Sequence, residues 1–229
     1  MKMSLTKQAF GMIYGRKSAG LLLLLVGILL SVAIRYVAKA RHDVWRAQAI
    51  GALSQVHLAL TNHRARHGEF PPICVRAGDG NPLLSWRALV LPELDGGSEV
   101  LRRLDLTSPW NSPHNARVMA STGDSLSGYF TPELALNGQV CVFAYVGKES
   151  SWSVPAKIAD EVLGGHGRNI LLLCIPSKHV QLLEPVEINE RELLALIGDG
   201  HEALFVTEDR TFGDVQIVDE HLSFNRDSQ

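Results

Sequence analysis

Cysteine is scarce. Three among 229 residues are too few for a fold stapled by disulfides. Aromatic residues make up 7% and charged residues 20% of the chain, while 46% is hydrophobic. That balance excludes a disordered or collagen-like chain and fits one globular domain with an appendage. No Gly-x-Ser-x-Gly elbow is present. Gly164-Gly165-His166-Gly167 lacks the Lys-Ser/Thr of a phosphate loop. No catalytic residue, metal ligand or cofactor-binding residue is assigned from the sequence. It points to a non-enzymatic protein.

What charge there is lies unevenly. Residues 1–70 carry 10 Lys/Arg against 2 Asp/Glu, whereas residues 71–229 carry 12 against 22. The acidic body offers no basic surface for a phosphate backbone, so nucleic acid is not an expected partner. The basic arm suits anionic lipid headgroups.

Between these lies an uncharged run. Ser18 to Ile34 is 17 residues without a charge, about 25 Å of helix. Extension to Ala38 takes in Arg35 and reaches about 31 Å, the depth of a hydrocarbon core. Arg35 sits near the end, where its side chain can snorkel. A transmembrane helix is expected over 18–38, after a basic segment over 1–17. Two alternatives compete with it. Ala38-Lys39-Ala40 matches a signal-peptide cleavage pattern, and a Leu-rich helix can also be a buried core element. Basic residues flank both ends, so charge leaves the orientation open.

The helix is expected to continue through an amphipathic stem over 39–68. Trp45, Ala49, Ala52, Leu53, Val56, Ala59 and Leu60 recur at spacings of three and four. Gly68 and Phe70-Pro71-Pro72 end it. The apolar face serves either to pack on the head or to receive a partner helix, and self-association through the stem is one form of the latter. The head, 69–229, has mixed signals. Leu83 to Leu94 is expected to be helical. Asn111 or Ser112 caps a short helix entered through Pro113. Residues 123–138 are expected to be loop with short elements. Val140 to Val146, Asn169 to Ile175, Ala203 to Thr207 and Val215 to Val218 are expected strands. A loop is expected over 150–167, and a helix over Glu190 to Ile197 with Asn189 as its cap. The fold class is α+β, with a long N-terminal helix and a small, mostly antiparallel sheet.

Three segments carry a resemblance: ALSQVHLALTNHRARHGEFPP, PLLSWRALVLPEL and PWNSPHN. They resemble the bacterial pilin-like proteins in which a domain of unknown function follows a prepilin-type N-terminal helix. The likeness is specific over residues 53–115, with Asn111 where the family usually has Asp. It weakens through YVGKES, GHGRNIL, LLEPVEI and GDGHEALFV. The resemblance implies a lollipop, with a stem in the inner membrane, a head in the periplasm, and kinship with type II secretion pseudopilins and type IV pilins. A prepilin peptidase site has Gly, usually Phe, and Glu at the fifth mature position. Here Gly20 is followed by Leu21 to Leu25, and Gly15 by Arg16, so processing and polymerisation as a major pilin are not expected.

The remaining candidates have ordinary readings beside functional ones. His63 and His67 stand at i, i+4 and can present two imidazoles to a metal, but Arg64 and Arg66 lie between them. A solvated helix end is the expectation. His114 is expected to serve the Asn-Ser-Pro-His-Asn turn. Asp199, Glu202, Glu208, Asp209 and Asp214 can offer oxygens to calcium, without the spacing of an EF-hand loop. Trp86, Trp110 and Trp152 would favour a ligand-binding head if they line a cleft. Cys74, Cys141 and Cys174 leave three pairings open if the head lies outside the cytoplasm. Cys141 and Cys174 are expected to be small apolar core residues.

Overall fold

The computed structural model describes residues 4–132, 138–147, 150–152 and 169–227, with side chains from residue 24 onward except 123–124. The chain divides into two compact units, Met1–Arg46 and Ala47–Gln229. Helix α1 runs over Ser4–His67. Gly68, at φ +86°, ends it and donates its N–H to the Arg64 carbonyl at 2.7 Å. A left-handed residue there favours glycine, which has no Cβ to clash.

In the first unit, the helix from Leu24 to Val37 exposes its apolar side chains on every side. Among the described residues, no helix is long and apolar enough to cross a membrane. This departs from the span expected over 18–38. The described apolar stretch is Leu24–Ile34, eleven residues, or about 17 Å of helix. Arg35, Lys39 and Arg41 then interrupt it. The side chains of residues 18–23 lie outside the described residues.

The second unit begins on the same helix. Ala49, Ala52, Leu53, Val56, Ala59 and Leu60 are all buried, so the apolar face packs on the head. His57 Nε2 lies 2.9 Å from the Glu208 carbonyl, Arg64 meets the Glu208 carboxylate at 3.0 Å, and Arg66 meets Glu93 at 3.0 Å.

Strands β1 (Cys74–Arg76) and β2 (Pro82–Ser85) pair antiparallel, and α2 (Trp86–Val90) follows directly. The helix expected over Leu83 to Leu94 is therefore divided among β2, α2 and a 3₁₀ turn at Leu91–Glu93. Ser85 makes the break: its extended backbone closes the strand while its Oγ accepts the Arg87 N–H at 3.3 Å. Then come α3 (Gly97–Arg103) and α4 (Pro113–Ser127).

Strands β3 (Gln139–Val140) and β6 (Val180–Gln181) form a small pair. The main sheet comprises β4 (Val142–Val146), β5 (Ile170–Cys174), β7 (Ile188–Asn189), β8 (Leu204–Thr207), β9 (Phe212–Val218) and β10 (His221–Arg226). Its order is β10-β9-β8-β5-β4-β7, antiparallel except for β4 with β7. Every residue of β5 is buried, as its unbroken apolar run requires of a strand covered on both faces. Helix α5 (Glu190–Gly198) packs against β9, with Asn189 Oδ1 accepting the Glu192 N–H at 3.0 Å. The protein is thus α+β, with a long N-terminal helix and a mostly antiparallel head sheet.

Candidate functional site

A concavity lies beside α4. It is a cleft of about 830 Å³, lined by Trp110, Asn111, Met119, Thr122, Ser125 and Gln181 among others. Among the described residues, no charged side chain lines it. Its lining offers one indole, a thioether, hydroxyls and side-chain amides, suited to a neutral polar group beside an aromatic ring.

One wall is built by the turn Pro109 to Asn115. Asn115 is fully buried. Its Oδ1 accepts the Asp105 N–H at 2.9 Å. Its Nδ2 donates to the carbonyls of Asp105 at 3.0 Å, Pro109 at 3.1 Å and Ser108 at 3.3 Å. One side-chain amide thus serves backbone groups of the turn, while the Trp110 N–H donates to the Leu83 carbonyl of β2 at 2.8 Å. Ser112 is the cap of α4, its Oγ accepting the Asn115 N–H at 3.2 Å. Asn111 instead lines the cleft. His114 Nε2 lies 2.8 Å from the Arg103 carbonyl and joins α4 to the end of α3. Hydrogen bonds from Ser108 and Thr107 hold the Asp105 carboxyl down at about 2.

Arg87 is fully buried. Nε and Nη2 donate to the Val142 carbonyl at 3.0 and 2.8 Å. Nη1 donates to Ser85 Oγ at 3.0 Å and to the Glu184 carbonyl at 3.3 Å. The guanidinium carbon lies 5.3 Å from the Trp86 ring centre and 5.4 Å from that of Phe143. Burial pushes its pKa down to about 9, against opposing contributions from Cys141, Glu184 and Glu187, so it stays charged at neutral pH.

The sequence candidates are dispersed. His63 and His67 stack, with ring centres 4.3 Å apart, and burial followed by the His67 charge lowers the His63 pKa. Glu208 pairs with Arg64. Burial opposes ionisation of Asp209, but hydrogen bonds from Thr207 and Thr211 outweigh it, and its pKa is lowered. Among the described residues, no group of three His, Cys, Asp or Glu side chains is placed to hold a metal. Residues 164–167 lie outside the described residues. Trp86 is buried against Phe130 and Trp152, with ring centres 6.0 and 5.5 Å away. Trp152 Nε1 donates to the Leu171 carbonyl at 2.7 Å. Of the three tryptophans singled out, only Trp110 faces the cleft. Arg87 and Asn115 make the long-range hydrogen bonds here, and no local pattern of residues assigns them that role. The available signal was a lone arginine inside an apolar run.

A family model matches residues 39–159, more than half the chain. The chain belongs to the family described as "Protein of unknown function (DUF1559)". No curated protein and no solved structure matches it. The match to this family takes in the second part of α1, the buried Arg87, the Asn115 turn and strand β4, and stops before β5.

Proposed function

We propose that this DUF1559 member is a non-enzymatic, single-pass, membrane-anchored, pilin-like protein. Its N-terminal helix lies in the cytoplasmic membrane. Its head, outside the cytoplasm, has a structural or protein-interaction role linked to secretion or surface assembly. The observation that carries the reading is the bare apolar helix of the first unit. Leu24, Leu25, Val26, Ile28, Leu29, Leu30, Val32 and Ile34 are each 49–68% exposed. Leu24, Leu25 and Val26 are consecutive and therefore point to different sides of the helix. In water that surface is unfavourable by about 25 cal/mol per Å², and lipid removes the cost from all sides at once. The uncharged residues 18–23 prolong the same run. The absence of Glu five residues after Gly20 favours an anchor that the prepilin peptidase leaves uncut.

Fractionation with intact-mass measurement tests this. Full-length chain is expected in the membrane fraction, released by detergent and retained through alkaline carbonate. A soluble chain beginning at Arg41 would overturn the anchor. A mature chain beginning at Leu21, or fibres built from it, would overturn the uncut reading.

The cleft beside Trp110 favours a second reading, a tethered ligand-binding module. Ligand-observed NMR with neutral saccharides and short uncharged peptides tests it. Binding that is lost in Trp110→Ala at unchanged thermal stability would support it. Equal binding by both proteins would place the ligand elsewhere.

A further inference from the structure

Cys141 and Cys174 are both buried, and their sulfurs lie 3.6 Å apart. Cys174 ends β5, and Cys141 directly precedes β4, where Val142 pairs with Cys174. The Ile175 N–H donates to the Cys141 carbonyl at 3.0 Å, so the backbone pairs Cys141 with the residue that follows Cys174. Cys74 lies on β1, opposite Ser85, in a different sheet. Of the three pairings open from sequence, only this one brings sulfur to sulfur. The sulfurs are in contact, and a bond of about 2.05 Å requires them to approach by a further ~1.5 Å.

We propose that Cys141 and Cys174 form an intrachain disulfide as the head folds, leaving Cys74 as a thiol. The oxidant is a disulfide donor. A cysteine thiolate attacks one sulfur of the donor and releases a donor thiolate, giving a mixed disulfide. The second cysteine thiolate then attacks the protein sulfur and releases the second donor thiolate. The two cysteines lose two protons and two electrons in all, and the donor disulfide becomes two thiols. Both sulfurs are shielded once β4 and β5 have closed, so the exchange belongs to the folding chain, and the finished bond is protected from reductant. The bond would close a segment with 32 residues between its ends, a length at which a covalent tie strongly restricts the unfolded chain.

The assignment of a donor in the cell rests on the extracytoplasmic head proposed above, whereas the pairing itself does not. The test is therefore run on purified full-length chain in detergent, refolded from the reduced, unfolded state with glutathione and glutathione disulfide, then denatured in acid and alkylated. One alkylated cysteine is expected, with a peptide linking Cys141 to Cys174. Cys74→Ser should give the same link and no alkylation. Three alkylated cysteines in chain refolded to the native circular dichroism spectrum would overturn the proposal, as would a link through Cys74. The state in cells is read separately by acid trapping. Three thiols there, beside the expected link in vitro, would count against the location of the head and support the pairing.

Discussion

Arg87 joins three segments with one side chain: the strand-to-helix junction at Ser85, the start of β4 at Val142, and the chain after β6 at Glu184. Lysine carries the same charge but cannot reproduce a planar fork that reaches two directions at once. Arg87→Lys is expected to lose about 2–4 kcal/mol, because hydrogen bonds to a buried charge are worth roughly 1.5–3 kcal/mol each. The midpoint and slope of urea denaturation check it. Asp105 bears on acid stability. Its carboxyl is lowered from 3.8 to about 2 by hydrogen bonds from Ser108 and Thr107. A depressed carboxylate contributes stability that is complete above its unfolded value and lost as pH falls through its folded value. Asp105→Asn should therefore flatten the fall in thermal midpoint between pH 4 and pH 2, and leave the slope between pH 6 and pH 8 unchanged. An equal loss across both ranges would assign Asp105 no titrating role. These residues were poorly legible in sequence. An arginine followed by apolar residues looks like a helix surface until its carbonyl partners, 55 and 97 residues away, are known.

Strand β10 illustrates the same limit for elements. It pairs with β9 over six residue pairs, His221 opposite Val218 through Arg226 opposite Gly213. The turn between them is Asp219-Glu220, both left-handed at φ +51° and +64°. Tight hairpins of this kind prefer Asn-Gly, and that absent signal hides the strand. Glu220→Gly should raise stability by about 1 kcal/mol, since a non-glycine residue in the left-handed region costs roughly 1–2 kcal/mol. Thermal unfolding measures it, and a fall in midpoint would refute the strain. Gly213 has the opposite requirement. A Cβ there would overlap the Asn225 carbonyl oxygen and crowd the Phe205 ring. Helix α4 continues to Ser127 through residues expected to be loop. Its serines, threonine and glycine have weak helix propensity, but buried Val118, Leu126 and Phe130 anchor the segment. By contrast α5 was legible, because its cap, its apolar spacing and its terminal glycine all agree.

The two units carry the organisation of the whole chain. Leu53, Val56 and Leu60 are fully buried although they belong to α1. At about 2 kcal/mol each they contribute roughly 6 kcal/mol, comparable with the entire stability of a domain, about 5–15 kcal/mol. A chain beginning at Ala47 is expected to unfold cooperatively and to remain out of the membrane fraction. A chain beginning at Glu69, which lacks those three side chains, is expected to lose cooperative unfolding. Circular dichroism melts of both chains, with flotation against vesicles, decide this. Cooperative melting of the shorter chain would show that the stem is dispensable to the core.

The sequence by itself determined the helix period through Leu60, its stop at Gly68, the covered strand over Ile170–Cys174 and the α+β class. These depend on local spacing and on caps within a few residues. Tertiary structure decided that the stem's apolar face is covered by the head. It also decided that Ser112, rather than Asn111, caps α4, that Asn115 organises the turn beside the cleft, that Arg87 joins the start of α2 to β4, and that Cys141 lies against Cys174 rather than Cys74. Each of these depends on which distant carbonyl, ring or sulfur comes within about 3–4 Å, a distance that no local pattern of residues encodes.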